Sequence, residues 1–334
     1  MERLHRTVVQ LEEAKRFILE ADVAHLRLAL ILLDNAIEVM MHRVIENELQ
    51  RASRYGRMLE NFLPGPLDAE EEELRREIAS HVVPASRQKQ IRRYFGEKVK
   101  FLSEDRDRIP QASARALMHL HEYRNETQHQ DRVRPESIRP AALVLFDIAT
   151  DLLVRLEPGM TEWASDEDHN WLEKYGLAAR FGPCADVLRG RISAQLRSGL
   201  PLDARGVRDA LVAHLTDRLE AMENDLDFVA ENVSVGPDRA LTLKAIQFWN
   251  ADSSRGPIKQ GPELEAFVPP HHLGSLTRWR DAVAGLSTMD DKLDMFDRFA
   301  TIEDEFEPLE KMIDDTVSAI DNAIQSEIDR IRGK

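Results

Sequence analysis

The feature that most limits how this 334-residue chain can fold is an apolar register between residues 20 and 50. Leu26, Leu30, Leu33, Ile37, Met40 and Val44 recur at steps of four, three, four, three and four. That spacing lines up side chains on one face of an α-helix. Leu28, Ile31, Leu32, Val39 and Met41 widen the stripe, so the helix is expected to be covered on more than one side. Core packing alone, or core packing plus a dimer interface, would satisfy it.

Further long registers follow. Over residues 136–156, Ile138, Ala142, Leu145, Ala149, Leu152 and Leu156 repeat the same steps, with Pro135 placed for a first helical turn. Residues 207–231 carry Leu211, Leu215, Leu219, Met222, Leu226 and Val229 in register. Over 302–331, the residues Ile302, Phe306, Leu309, Ile313, Val317, Ile320, Ile324, Ile328 and Ile331 track one face. Such an amphipathic helix needs a partner: a hairpin with 207–231 or a second chain. Shorter helices are expected after the break at "LPGPLD" (63–68), over 87–102, and over 111–124 after Pro110. The stretch "LTLKAIQFW" (241–249) fits both a short strand and a helix. Residues 251–274 read as a Gly/Pro-rich loop, with His271-His272 as a solvated pair. The expectation is therefore an all-α protein with at most a small β element. "LEPGM" (156–160) marks a boundary between a helical domain, 1–157, and a helical region, 158–334.

Composition agrees. Charged residues make up 31% and aromatics 6%, which suits helices better than a β-sandwich. The formal net charge is −15, which argues against broad electrostatic binding of nucleic acid. The charge is uneven, however: residues 1–157 are near −2, the remainder near −13, and residues 87–139 hold 13 basic against 8 acidic side chains. In that window Arg92, Arg93, Lys98 and Lys100 are candidates for guiding RNA. A solvated helix face with acidic partners accounts for them equally well. The single cysteine, Cys184, and the absence of a long apolar run or signal core lead to a cytoplasmic expectation without membrane association.

The candidate chemistry lies in "YRNETQHQ" (123–130), between two apolar helical patterns. An Arg followed five positions later by His is expected about once by chance, and it also occurs at Arg76 and His81. Requiring Asn directly after the Arg lowers the expectation to about 0.03. Arg124, Asn125 and His129 would suit RNA cleavage. Imidazole titrates near neutral pH and can move the 2′-hydroxyl proton. A guanidinium grips phosphate oxygens, and an amide can orient either. No metal and no cofactor is required. One histidine cannot easily act as both acid and base, whereas a symmetric dimer supplies two. There is no glycine-rich phosphate loop, no G-x-S-x-G elbow and no H-E-x-x-H.

This motif, Arg124-Asn125-x-x-x-His129, set in an all-α domain behind a long apolar first helix, resembles the HEPN superfamily over about residues 15–157. The resemblance implies a compact, dimerising bundle and, in many members, a metal-independent endoribonuclease. It further implies a toxin or anti-phage defence effector, with an antitoxin or other defence protein as partner. It implies catalytic roles for Arg124, Asn125 and His129 and a supporting role for Glu38. His121, on the preceding helix, is a further candidate to line the cleft. The alternative reading is a non-catalytic helical dimerisation, adaptor or sensor protein, supported by the net acidity and the long amphipathic helices.

Overall fold

The computed structural model describes residues 2–60, 69–129, 135–156, 170–176, 185–233, 238–251 and 261–332. The breaks at 63–68 and 156–160 and Cys184 lie wholly or mostly outside these. The described residues form thirteen α-helices with one π turn and one 3-10 turn, and no strand among them. The protein is all-α. Residues 241–249, which fit either period, lie in helix α10 (Arg239–Asn250). No helix among the described residues is long and apolar enough to cross a membrane.

The chain divides into two compact units, Met1–Leu202 and Asp203–Lys334. In the first, α1 (Glu2–Glu20) packs on α2 (Val23–Glu60). Ala21 turns the chain with φ +60, and Asp22 accepts from His25 N at 3.1 Å to cap α2. All six residues of the α2 register are buried. Its second side is only partly covered, and Leu28 is 46% exposed. Helix α7 (Pro135–Leu156) is buried nearly all round through Ile138–Leu156, because α1, α2, α6 and α8 surround it.

That enclosure moves the boundary. The first unit runs past residue 157 because α8 (Ala185–Arg197) closes the remaining face of α7. Ser193 donates to Thr150 O at 2.9 Å, Arg197 pairs with Asp147, and Lys15 donates to Ser198 O at 2.7 Å. The 3-10 turn Asn170–Tyr175 joins the same unit. Trp171 stacks on His5 at 4.5 Å, and the Tyr175 hydroxyl donates to Glu12. Burial, reinforced by Glu12, pushes that phenol well above its ordinary range.

The expected helix over 87–102 is divided. Helix α4 (Ala85–Arg93) stops at Tyr94, whose backbone is extended (φ −107, ψ 132), and α5 (Phe95–Lys100) begins on a new axis before a π turn, Phe101–Asp105. Helices α3 (Ala69–Ser80) and α6 (Gln111–His129) complete the unit.

The second unit is built on α9 (Ala204–Asn232), α12 (Leu273–Leu286) and α13 (Lys292–Ile331), with α10 and the short α11 (Pro262–Ala266) against them. Asp203, Asp238 and Asp291 cap the N-termini of α9, α10 and α13. Helix α13 pairs with α9 within the chain, but the two run in the same sense rather than as a hairpin. His214 meets Glu303 at 3.5 Å and Arg218 further along reaches Glu310. The return helix α12 packs on both. Trp279, Phe296, Phe299 and Phe306 fill the core. Gln247 is buried and holds the loop before α12 by reciprocal bonds to His271, 2.8 and 2.9 Å. His271 is therefore packed rather than solvated, tilted on Trp279 at 5.4 Å, while His272 caps α12.

Two predictions follow from this packing. Ile192 is fully buried on α8, so Ile192→Ala should destabilise the first unit by about 2–4 kcal/mol in urea titrations. In the second unit, burial, then Arg278 and His272, lower the His271 pKa from 6.5. Such a group binds more protons unfolded than folded. Its contribution is complete above pH 6.5 and is lost as pH falls below that value. Thermal scans should show the second unit weakening between pH 7.5 and 5.5, with a smaller loss in His271→Gln.

Candidate functional site

Asp34 is the one charged residue inside the apolar face of α2 and is 2% exposed. A carboxylate in that setting must be matched by cations or donors. Helix α6 supplies both. His121 Nδ1 lies 2.9 Å from Asp34 Oδ1, and Arg124 Nε lies 3.3 Å from Asp34 Oδ2. The second contact is ionic: neither atom has a well-aligned hydrogen bond among the described residues. Arg124 NH1 donates to Asn125 Oδ1 at 2.9 Å. The imidazole of His121 lies flat on Phe95, ring centroids 3.8 Å apart and 2° from parallel. The extended backbone at Tyr94 re-aims the chain so that Phe95 can make this stack.

Asp34 heads a ladder. Asp34, Glu38, His42 and Glu46 fall at four-residue steps on α2, one face of the helix. Glu38 pairs with Lys98 of α5, which is 5% exposed. Glu46 accepts from Arg92 of α4 at 2.8 and 3.3 Å. The Arg92 guanidinium holds the Glu46 carboxyl below its ordinary pKa. Two residues on, Glu48 meets Arg106 at 3.4 Å and Arg108 at 3.6 Å. Much of the basic window at 87–139 is thus spent inside the bundle, tying α4, α5, the following turn and α6 to α2. Of the candidate RNA-guiding residues, Lys98 is buried and Arg92 is engaged with Glu46. Arg93 and Lys100 stay at the surface, Arg93 over the Tyr94 ring at 5.3 Å and Lys100 3.9 Å from Glu104.

The motif itself lies on a helix rather than in a turn. Helix α6 runs unbroken through Arg124 and Asn125 and ends at His129. The two ends of the motif are about 1.4 helical turns apart. The side chain of His129 lies outside the described part of the structure. The site therefore brings together Arg124, Asn125 and His121, adds Asp34, and sets Glu38 one turn along α2 with Lys98 rather than with Arg124. Asp34 was missed in the sequence, although its position was a signal: the first of two acids in "LALILLDNAIEVMM", in step with the buried Leu30. Among the described residues, the one set of metal-capable side chains is elsewhere, at the exposed Glu20 and Asp22 and the half-buried His25.

Removing Asp34 leaves Arg124 and His121 without their shared counter-charge. Asp34→Ala should cost about 3 kcal/mol in denaturant unfolding of the first unit, against less than about 1 kcal/mol for Glu46→Ala at the solvated Arg92 pair.

No family model matches this sequence, no curated protein matches it, and no solved structure resembles its fold closely enough to count as a match.

Proposed function

We propose that the protein is a metal-independent endoribonuclease whose site is built from Arg124, Asn125 and His129. The supporting observation is that Arg124 and Asn125 occupy the last turns of α6, on the helix that ends at His129, with α6 fixed to α2 through Asp34 and His121. In this reading His129 takes the 2′-hydroxyl proton and Arg124 stabilises charge on the phosphate. Asn125 bonds either group. The histidine of a second copy protonates the leaving oxygen. The products carry a 2′,3′-cyclic phosphate. A role as a toxin or anti-phage effector, with an antitoxin or defence-system partner, follows from the resemblance to the HEPN superfamily alone.

One observation favours a different reading. Arg124 has its Nε against buried Asp34, its NH1 on Asn125, and a side chain only 20% exposed. A guanidinium so engaged can serve as a strut, and the domain would then be a non-catalytic dimerisation, adaptor or sensor module.

The two readings separate in one assay. Purified protein is incubated with single-stranded RNA in EDTA, and the ends are analysed. The nuclease reading predicts cleavage with cyclic-phosphate ends, reduced at least about 100-fold by His129→Ala and by Arg124→Ala while circular dichroism stays unchanged. Intact RNA with well-folded protein supports the module, and full activity in His129→Ala overturns the site built on His129.

A further inference from the structure

The apolar stripe of α13 outlasts the helices it packs on. Its members Ile302, Phe306, Leu309, Ile313, Val317, Ile320, Ile324, Ile328 and Ile331 repeat every eleven residues, so the stripe runs nearly straight along one face. The first four are buried, and the last buried residue of the helix is Thr316. Beyond it the same stripe continues only partly covered, with Val317, Ile320 and Ile328 half-buried. Ile324 is 42% and Ile331 74% exposed. A row of five branched apolar side chains continuous with a core seam marks an interaction surface.

Its spacing says what fits there. Val317, Ile320, Ile324, Ile328 and Ile331 step by three, four, four and three, a pattern that reads the same in both directions about Ile324. An isologous contact between two copies needs this kind of self-complementarity. Charge selects the direction. Asp314, Asp315 and Asp321 crowd the start of the stretch, and its end carries Arg330 and Arg332 beside Glu327 and Asp329, with Arg330 paired to Glu327. Parallel pairing would set the aspartates against one another. Antiparallel pairing sets each acidic end beside the end that holds Arg332. On an ideal helix Asp314 and Arg332 both lie about 80° to the same side of the stripe, so each Arg332 comes beside Asp314 of the other copy. Arg332 has no ionic partner among the described residues. Burial and the neighbouring Glu310, Asp225 and Asp315 raise the Asp314 pKa against the opposing pull of Arg218.

We propose that the Val317–Ile331 segment of α13 pairs antiparallel with the same segment of a second copy, the two Ile324 side chains meeting on the two-fold axis. This contact is independent of the nuclease reading, since it lies wholly on the second unit.

Site-directed cross-linking of the full chain tests it. Single cysteines are placed by Val317→Cys, Ile324→Cys and Ile331→Cys in a Cys184→Ser background and oxidised. A disulfide needs Cα atoms within about 7 Å. The proposal predicts self-cross-linking of Ile324→Cys alone. It predicts a mixed cross-link when Val317→Cys and Ile331→Cys proteins are combined, and little from either by itself. Absence of a cross-link at 324 overturns the contact, and equal self-cross-linking at all three positions overturns the antiparallel arrangement. Sedimentation supplies a second reading. Asp314→Arg and Arg332→Asp should each weaken dimerisation at least tenfold, and the double exchange should restore it. A double exchange that stays as weak as the single variants contradicts the pairing.

Discussion

A carboxylate set inside an apolar helix must be answered by the helices around it. In the first unit Asp34 imposes that requirement, and α6 meets it with His121 and Arg124. Burying an unmatched charge costs several kcal/mol, so this contact adds to apolar packing in fixing the register of α6 on α2. The candidate site inherits its position from that register. Glu38 with Lys98 and Glu46 with Arg92 extend the same logic to α5 and α4. A locally basic stretch of sequence thus becomes the counterpart of one acidic helix edge.

The two units use long helices differently. Helix α2, 38 residues long, is packed on by helices from both sequence directions, α1 before it and α3 to α7 after it, while α8, from well beyond the expected domain end, closes α7 and α1. Helix α13, 40 residues long, is enclosed only over its first half. The second unit holds 15 basic against 27 acidic side chains, so it contributes −12 of the −15 net charge. Its interior cation Arg218 is shared between Glu303 and Glu310. A surface of that sign repels phosphate.

What the sequence disclosed, and what it hid, follows from the kind of signal each element carries. The α2 register was legible because all six of its positions answer to a single burial requirement. The all-α class was legible for the same reason. The helix expected over 111–124 runs on to His129; "RNETQ" is polar, yet polarity does not end a helix. No Gly or Pro intervenes between Gln111 and Pro135, and the backbone ladder runs unbroken to His129. The early start of α13 was signalled by Asp291, a capping residue hidden among other acids. The docking of α8 left no local trace, since a 13-residue amphipathic helix does not announce which face it will cover. Asp34 was visible only to a reader asking where an acid interrupts an apolar face.

Histidine-selective NMR with a 2′-deoxy, uncleavable oligonucleotide tests the central claim, that the guanidinium of Arg124 and the imidazole of His129 address one phosphate. The account predicts that the His129 ring signals shift and that its pKa rises when the oligonucleotide binds. Both changes should be lost in Arg124→Ala, with the signals of His271 unmoved throughout. His129 signals that ignore the oligonucleotide at saturating concentration, in a folded wild-type protein, would contradict it.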